Sequence, residues 1–336
     1  MRSLPLALPL ALPLALLLAA CSGDAAPTDD TAAVTCTVTV KESVPEQGAT
    51  DAYYRGAVEW RLSDPDPLAT VEASFAGTLS RSEDGEVLSY VPDAPLTPNT
   101  AYTATLSYCG GTEDLSFTTS ADGAPVTDVD GLLNRTYSFD LAAARIVSPE
   151  GMNLVLSSVP QQPLLIGVVA IDGDTLDLIE GGSVVDGDVQ AQDYCLATTD
   201  LPGAAFAESP YFRLEADTAT VSVGGAPVTV TGMVITGTFA ADGTYLAGGT
   251  LSGLLDTRNM GVLVGDVGNP SAACDLMVQA GIRCGDCPDG GRYCLDLVAD
   301  QILAPELPGF TMAGVDGVGC EGCADGPPAE DAVCEE

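Results

Sequence analysis

The sequence predicts a mainly β protein: an antiparallel β-sandwich, then a larger β-barrel or sandwich-like domain with one short helix and a disulfide-rich C-terminal segment. Three observations carry this reading. Apolar and polar residues alternate with a period of two over many short runs from Val34 onward. Asp/Gly turn signals recur between those runs. Seven Cys are concentrated between Cys274 and Cys334.

The N-terminus comes first. Met1-Arg2-Ser3 is followed by a Leu/Ala/Pro run from Leu4 to Ala20, the charged, apolar and small-residue order of a secretory signal. The run is about as long as a membrane-spanning helix requires. However, Pro5, Pro9 and Pro13 each delete a helical N–H and clash with the preceding turn. Leu18-Ala19-Ala20-Cys21 resembles the bacterial lipobox. That resemblance implies removal of residues 1–20, acylation of Cys21 and a place in the cell envelope, with the membrane as a partner through the lipid. Ser22 after the Cys implies, in the same family, release to the outer membrane. Residues 21–33 are small and acidic without periodicity, as in a flexible tether.

Charge narrows the partners. The chain holds 11 basic and 48 acidic residues, and loss of Arg2 with the signal moves the balance from −37 to −38. Such a surface repels nucleic acid, which is excluded as a partner, and suits cations or a basic protein or cell surface.

Seven strands are expected in residues 34–120: 34–40, 57–62, 70–75, 78–81, 87–91, 101–109 and 114–119. Glu83-Asp84-Gly85-Glu86 joins two of them as a hairpin. Leu88-Ser89-Tyr90-Val91-Pro92, then Ala94 to Tyr102 with its Leu96-x-Pro98-x-Thr100-x-Tyr102 core, then Leu115 to Thr119, resemble the bacterial Ig-like domains of surface-layer and adhesin proteins. The resemblance implies an Ig-like sandwich in a spacer or adhesive module. It also implies a tyrosine-corner role for Tyr102, with its hydroxyl on nearby backbone.

Residues 121–130 read as a linker. A second β-rich domain, 131–326, is expected to contain strands at 136–146, 153–157, 164–171, 175–179, 211–215, 218–223, 228–230, 233–239, 245–254 and 293–303. Asp172-Gly173-Asp174 and Gly224-Gly225 mark hairpin turns. A helix is expected from Pro270 to Gly281, capped by Ser271 or Asn269, with Cys274, Met277 and Val278 on one face. Residues 327–336 form an acidic tail. Gly237 to Tyr245, Leu254 to Arg258 and the Cys cluster resemble uncharacterised lipoproteins of myxobacteria-like organisms, which implies no activity.

The cysteines are read as disulfides. Setting Cys21 aside leaves Cys36, Cys109, Cys195, Cys274, Cys284, Cys287, Cys294, Cys320, Cys323 and Cys334, an even number in an exported chain. Cys36 and Cys109, alone in the first domain, are expected to pair. Cys284-x-x-Cys287 and Cys320-x-x-Cys323 also have the spacing of a four-thiolate zinc site, the alternative in a reducing compartment.

Catalysis finds little support. The chain has no His, which removes Ser-His-Asp and Cys-His arrangements, and Lys41 is its only Lys. The acids suggest calcium as a cofactor. Asp128 with Asp130, Asp172 with Asp174, and Asp186 with Asp188 cluster hard oxygens, although Asp-Gly is also ordinary turn chemistry. The expected function is a non-enzymatic envelope lipoprotein for surface binding, adhesion or structure. The alternatives are a lipid or small-ligand carrier with a cupped barrel and a carboxylate-pair hydrolase.

Overall fold

The computed structural model describes residues 36–156, 162–186, 189–223 and 226–316. The signal, Cys21, the tether, Asp188, Gly224-Gly225, Cys320, Cys323, Cys334 and the acidic tail lie outside the described residues. The described residues from Val38 onward form one compact unit. Among the described residues no helix is long and apolar enough to cross a membrane.

The first seven strands are β1 (Val40–Val44), β2 (Val58–Leu62), β3 (Thr70–Ala73), β4 (Gly77–Arg81), β5 (Val87–Pro92), β6 (Ala101–Tyr108) and β7 (Gly111–Thr118). They form two antiparallel sheets, ordered β1-β2-β5-β4 and β3-β6-β7. That is the strand order of the seven-stranded immunoglobulin sandwich. Alternation sets which side chains enter the core: Val58, Trp60 and Leu62 of β2 are buried while Arg61 is exposed. Trp60, Leu88 and Leu106 pack there with no exposed surface. Tyr102 fills the tyrosine-corner role, its Oη accepting from Thr97 N–H at 2.9 Å. Its ring packs on Phe75 and Phe117. The first strand begins at Val40 rather than Val34 and continues through Lys41 to Val44.

The connection 121–130 is bonded along its course. Thr127 N–H and Oγ1 both donate to Ala241 O, at 2.8 and 2.9 Å. Tyr245 Oη donates to Asp122 at 2.9 Å.

Beyond it run β8 (Thr136–Phe139), β9 (Arg145–Ser148), α1 (Met152–Leu156), β10 (Leu164–Asp172), β11 (Thr175–Gly181), β12 (Ser183–Asp186), β13 (Val189–Gln192) and β14 (Thr199–Ala205). Then come β15 (Tyr211–Val223), β16 (Ala226–Phe239), β17 (Tyr245–Asp256), α2 (Ala272–Gln279) and β18 (Cys294–Pro305). The single strand expected at 136–146 is two, because Asp140 Oδ1 accepts from the N–H groups of Ala142 and Ala143 and turns the chain. A helix replaces the strand expected at 153–157. Pro149 O and Gly151 O accept from Met152 and Leu154 N–H, and so start it. Strands expected as pairs at 211–223 and 228–239 are continuous, with a bulge at Gly232 absorbing the register shift between Thr231 and Val234. The hairpin β12–β13 and strand β14 were not expected; Pro202 and Gly203 inside β14 hide it from strand patterning.

Nine strands form one antiparallel sheet in the order β8-β10-β11-β14-β15-β16-β17-β18-β9. The sheet curls until β8 meets the end of β18, where Tyr137 bridges Glu306 and Leu307 N–H donates to Thr136 O at 2.8 Å. Phe239 fills the interior, its ring 5.6, 5.7 and 5.5 Å from those of Tyr137, Phe206 and Phe212. Each such pair adds roughly 0.5–1.5 kcal/mol beyond its buried area. On the outer face, Met312 enters the space left by Gly167 and Gly181 and packs with Leu165 and Ile179.

The expected helix is α2. Ser271 stands at its N-cap without a side-chain bond, and Asn269 Oδ1 instead accepts from Ser271 N–H at 3.0 Å. It ends in a Schellman motif, with Ile282 N–H donating to Met277 O and Gly281 N–H to Val278 O. Cys274 and Met277 face the core, whereas Val278 is exposed.

Candidate functional site

Four cysteines of the cluster lie among the described residues, and all four are bridged. Cys274 pairs with Cys284 and Cys287 with Cys294, and Cys36, Cys109 and Cys195 are also disulfide-bonded. Cys284 and Cys287 therefore belong to different bridges and hold no thiolate for zinc. One bridge ties α2 to the loop that follows it and the other ties that loop to the start of β18, a structural task. Among the described residues one group of three potential ligands has donor atoms within 4.8 Å of one another: Asp256, Cys287 and Cys294. The bridge takes both sulfurs, and Arg258 binds the carboxylate through Nε and Nη2.

The acids considered for calcium build turns. Asp128 Oδ1 accepts from Gly131 N–H at 3.1 Å, and Asp130 opens a short 3-10 turn. Asp172 and Asp174 flank the β10–β11 hairpin, their carbonyls accepting from Thr175 Oγ1 and Phe206 N–H. Asp186 ends β12. None of Asp128, Asp130, Asp172 and Asp174 belongs to a three-ligand group among the described residues.

A groove of about 890 Å³ opens where the sandwich meets the curled sheet. One wall is the stretch 44–59, running from the end of β1 into β2; the other is Gly248 and Thr250 of β17 with residues 300–303 of β18. Both strands of the second wall are bulged here. The β17–β18 register shifts on each side of Gly249, and Gln301 adopts a left-handed φ of 55° with its side chain exposed. Bulges of this kind concentrate beside binding and active sites, where they re-aim side chains.

Charge in the groove is organised around Arg145. Its Nε donates to Asp300 Oδ1 at 2.8 Å, its Nη2 to Asp300 Oδ2 at 2.5 Å and its Nη1 to Glu59 Oε2 at 2.5 Å. Asp300 first, and then Glu59, hold the guanidinium above its already high pKa, against the opposing effect of burial. This fork also joins the two halves, because Glu59 lies on β2, Arg145 on β9 and Asp300 on β18.

Beside it, the Tyr53 ring lies on Gly248, whose left-handed φ of 56° and missing side chain leave room for the ring. Burial pushes the Tyr53 hydroxyl pKa upward, partly offset by its bond to Thr238. Arg55 donates to Tyr54 Oη at 3.1 Å, pairs with Glu208, and stands 3.9 Å over the Tyr211 ring. Burial first, and then the Asp122 carboxylate, raise the Tyr245 pKa to about 12.

None of these groove residues was singled out from the sequence. One signal was present: with only 11 bases against 48 acids, each Arg is a candidate junction. Comparison with protein-family models, curated proteins and solved structures gives no match for this chain.

Proposed function

We propose that this chain is an exported, lipid-anchored envelope protein that binds rather than catalyses, with the groove between its Ig-like sandwich and its curled sheet as the binding site. The observation that carries this reading is the groove itself. It is an open cleft of about 890 Å³, within the range of ligand sites, at the kind of junction where such sites form. Its two walls are held in fixed relation by the Glu59–Arg145–Asp300 fork. The lipobox at Cys21 supports the anchor and the export.

The carrier alternative draws no support from the curled sheet, whose interior is occupied by Phe239 and its aromatic neighbours. For the hydrolase alternative, the Glu59 and Asp300 carboxylates offer no free acid, because both are committed to Arg145.

The test uses the full mature chain with a fluorescent label, applied to whole cells and read by flow cytometry. Thr50 is exposed in the groove wall, so Thr50→Trp places a bulky ring in the cleft without disturbing the core. Saturable binding that disappears in Thr50→Trp is expected; undiminished binding by that variant overturns the groove as the site. Cys21→Ser should abolish metabolic fatty-acid labelling, and labelling that persists would remove the anchor.

A further inference from the structure

Taking the groove as the binding site, we infer that its occupant is a short extended peptide carrying Lys or Arg side chains. The backbone supplies the first reason. On the side away from β17, β18 pairs with β9 only over Val298, Ala299 and Asp300. Its next contact on that side is the bridge between Tyr137 and Glu306. Residues 301–303 have no hydrogen-bonded strand neighbour there among the described residues and line the groove, whereas β8 lies beside the end of β18. An open strand edge inside a cleft is a template for an added strand, the mode by which many domains take extended peptides.

The charges supply the second reason. Three of the acids lining the groove are already engaged: Glu59 and Asp300 by Arg145, and Asp122 by Tyr245 and Ser120. Both cations on the walls are engaged too, Arg145 by this pair and Arg55 by Glu208. What remains uncommitted is Glu46 and Asp51, both exposed on the stretch facing the β18 edge. An anionic ligand would meet two free carboxylates, no free cation and a chain of net charge −37. A basic one would find both partners it needs.

The apolar surface supplies the third. Leu303 lies on the β18 wall with 62% of its surface exposed. The aliphatic stem of a Lys or Arg can cover it while the charged head reaches a carboxylate. A lone ammonium ion would use none of this length.

The experiment is calorimetric titration of the full mature chain with pentalysine amide at physiological salt, with fully N-acetylated pentalysine as the uncharged control. The groove pair Glu46→Gln/Asp51→Asn is compared with Glu72→Gln/Glu83→Gln, which removes the same charge from exposed positions elsewhere on the sandwich. Binding of pentalysine at one site is expected, about tenfold weaker in the groove pair, as close charge contacts are lost, and nearly unchanged in the other. Equal weakening in both pairs, binding of the acetylated peptide, or no binding at all overturns the basic-peptide assignment. If whole-cell binding nevertheless remains sensitive to Thr50→Trp, only the occupant is wrong and the groove reading stands. If whole-cell binding ignores Thr50→Trp, the groove reading fails on its own account.

Discussion

The hydroxyls of Tyr53 and Thr238 meet at 2.7 Å although 185 positions separate them in the chain. Thr238 has no exposed surface, and its other hydroxyl neighbour, Tyr54 Oη, stands at 3.4 Å. The bond fixes one end of the groove by joining the sandwich to β16.

Tyr53→Phe should therefore destabilise the protein by about 1–3 kcal/mol, because it leaves a buried hydroxyl poorly satisfied. Thr238→Val should cost a similar amount, and the double variant less than the sum of the two. Urea unfolding of the four proteins measures this; strict additivity would mean the bond contributes nothing.

Gly248→Ala attacks the same junction from the other side. A Cβ at Gly248 would stand 2.2 Å from Tyr53 Cζ, on a backbone with φ of 56°. Left-handed backbone alone costs an Ala about 1–2 kcal/mol, and the ring must also move. A loss of more than about 2 kcal/mol is expected by urea unfolding, and Tyr53→Ala in the same chain should recover the steric part.

The sandwich was far more legible in the sequence than the groove, and the reason is physical. Strands such as Val58-Glu59-Trp60-Arg61-Leu62 bury one face, so their period of two reports their place directly. Tyr102 and Thr97 lie five residues apart, and a local motif encodes their bond. The groove depends on contacts that no local pattern specifies. Arg145 meets Glu59 at a separation of 86 positions and Asp300 at 155, and any of 48 acids could have been its partner. The left-handed Gln301 is equally silent, because a bulge arises from pairing register rather than from residue type. At 152–156 a short apolar run serves helix and strand equally well, and the turn set by Pro149 and Gly151 decides for helix.

Alkaline pH should unfold the protein through its tyrosines. The hydroxyls of Tyr53, Tyr137 and Tyr245 are all raised from the ordinary value of 10.0, each mainly by burial. A group whose pKa is raised by folding holds its proton more tightly in the folded state. Its stabilisation is complete below the unfolded pKa, begins to fall near pH 10, and is lost as pH passes the folded value, about 12 for Tyr245. Absorbance of phenolate should show these three titrating late and together with unfolding, and Tyr245→Phe should flatten the decline between pH 10 and 12. Ionisation of all ten tyrosines near pH 10 with the fold intact would contradict the burial seen here.

The two bridges at the start of β18 should respond differently from a metal site. Peptide mapping without reduction should recover Cys274 linked to Cys284 and Cys287 linked to Cys294. Chelators should change neither the mass nor the melting. Replacing either pair with Ala should cost roughly 2–3 kcal/mol in the loop-entropy model, since both loops are short. Recovery of a Cys284–Cys287 link would contradict this connectivity.

Met312 offers a sharper test, because a substitution there and one at Gly181 should partly compensate each other. Its side chain occupies space that exists because Gly167 and Gly181 lack a Cβ; one built on Gly181 would lie 2.8 Å from Met312 Cε. Met312→Ala should cost about 2–4 kcal/mol through lost burial and the cavity left behind. Gly181→Ala should cost about 1–3 kcal/mol by overpacking, at the lower end if the flexible thioether can shift. In the double variant the new methyl enters the vacated space, so the combined loss should fall below the sum by about 1 kcal/mol or more. The backbone of this segment is held independently. Gln192 bonds both N–H and C=O of Ala313, and Thr198 does the same for Val315. The chain should therefore stay in place while the side chains repack, and the cycle should report packing alone. Urea unfolding of the four proteins provides the measurement. A double variant as unstable as the sum would mean that Met312 does not fill the glycine-lined space.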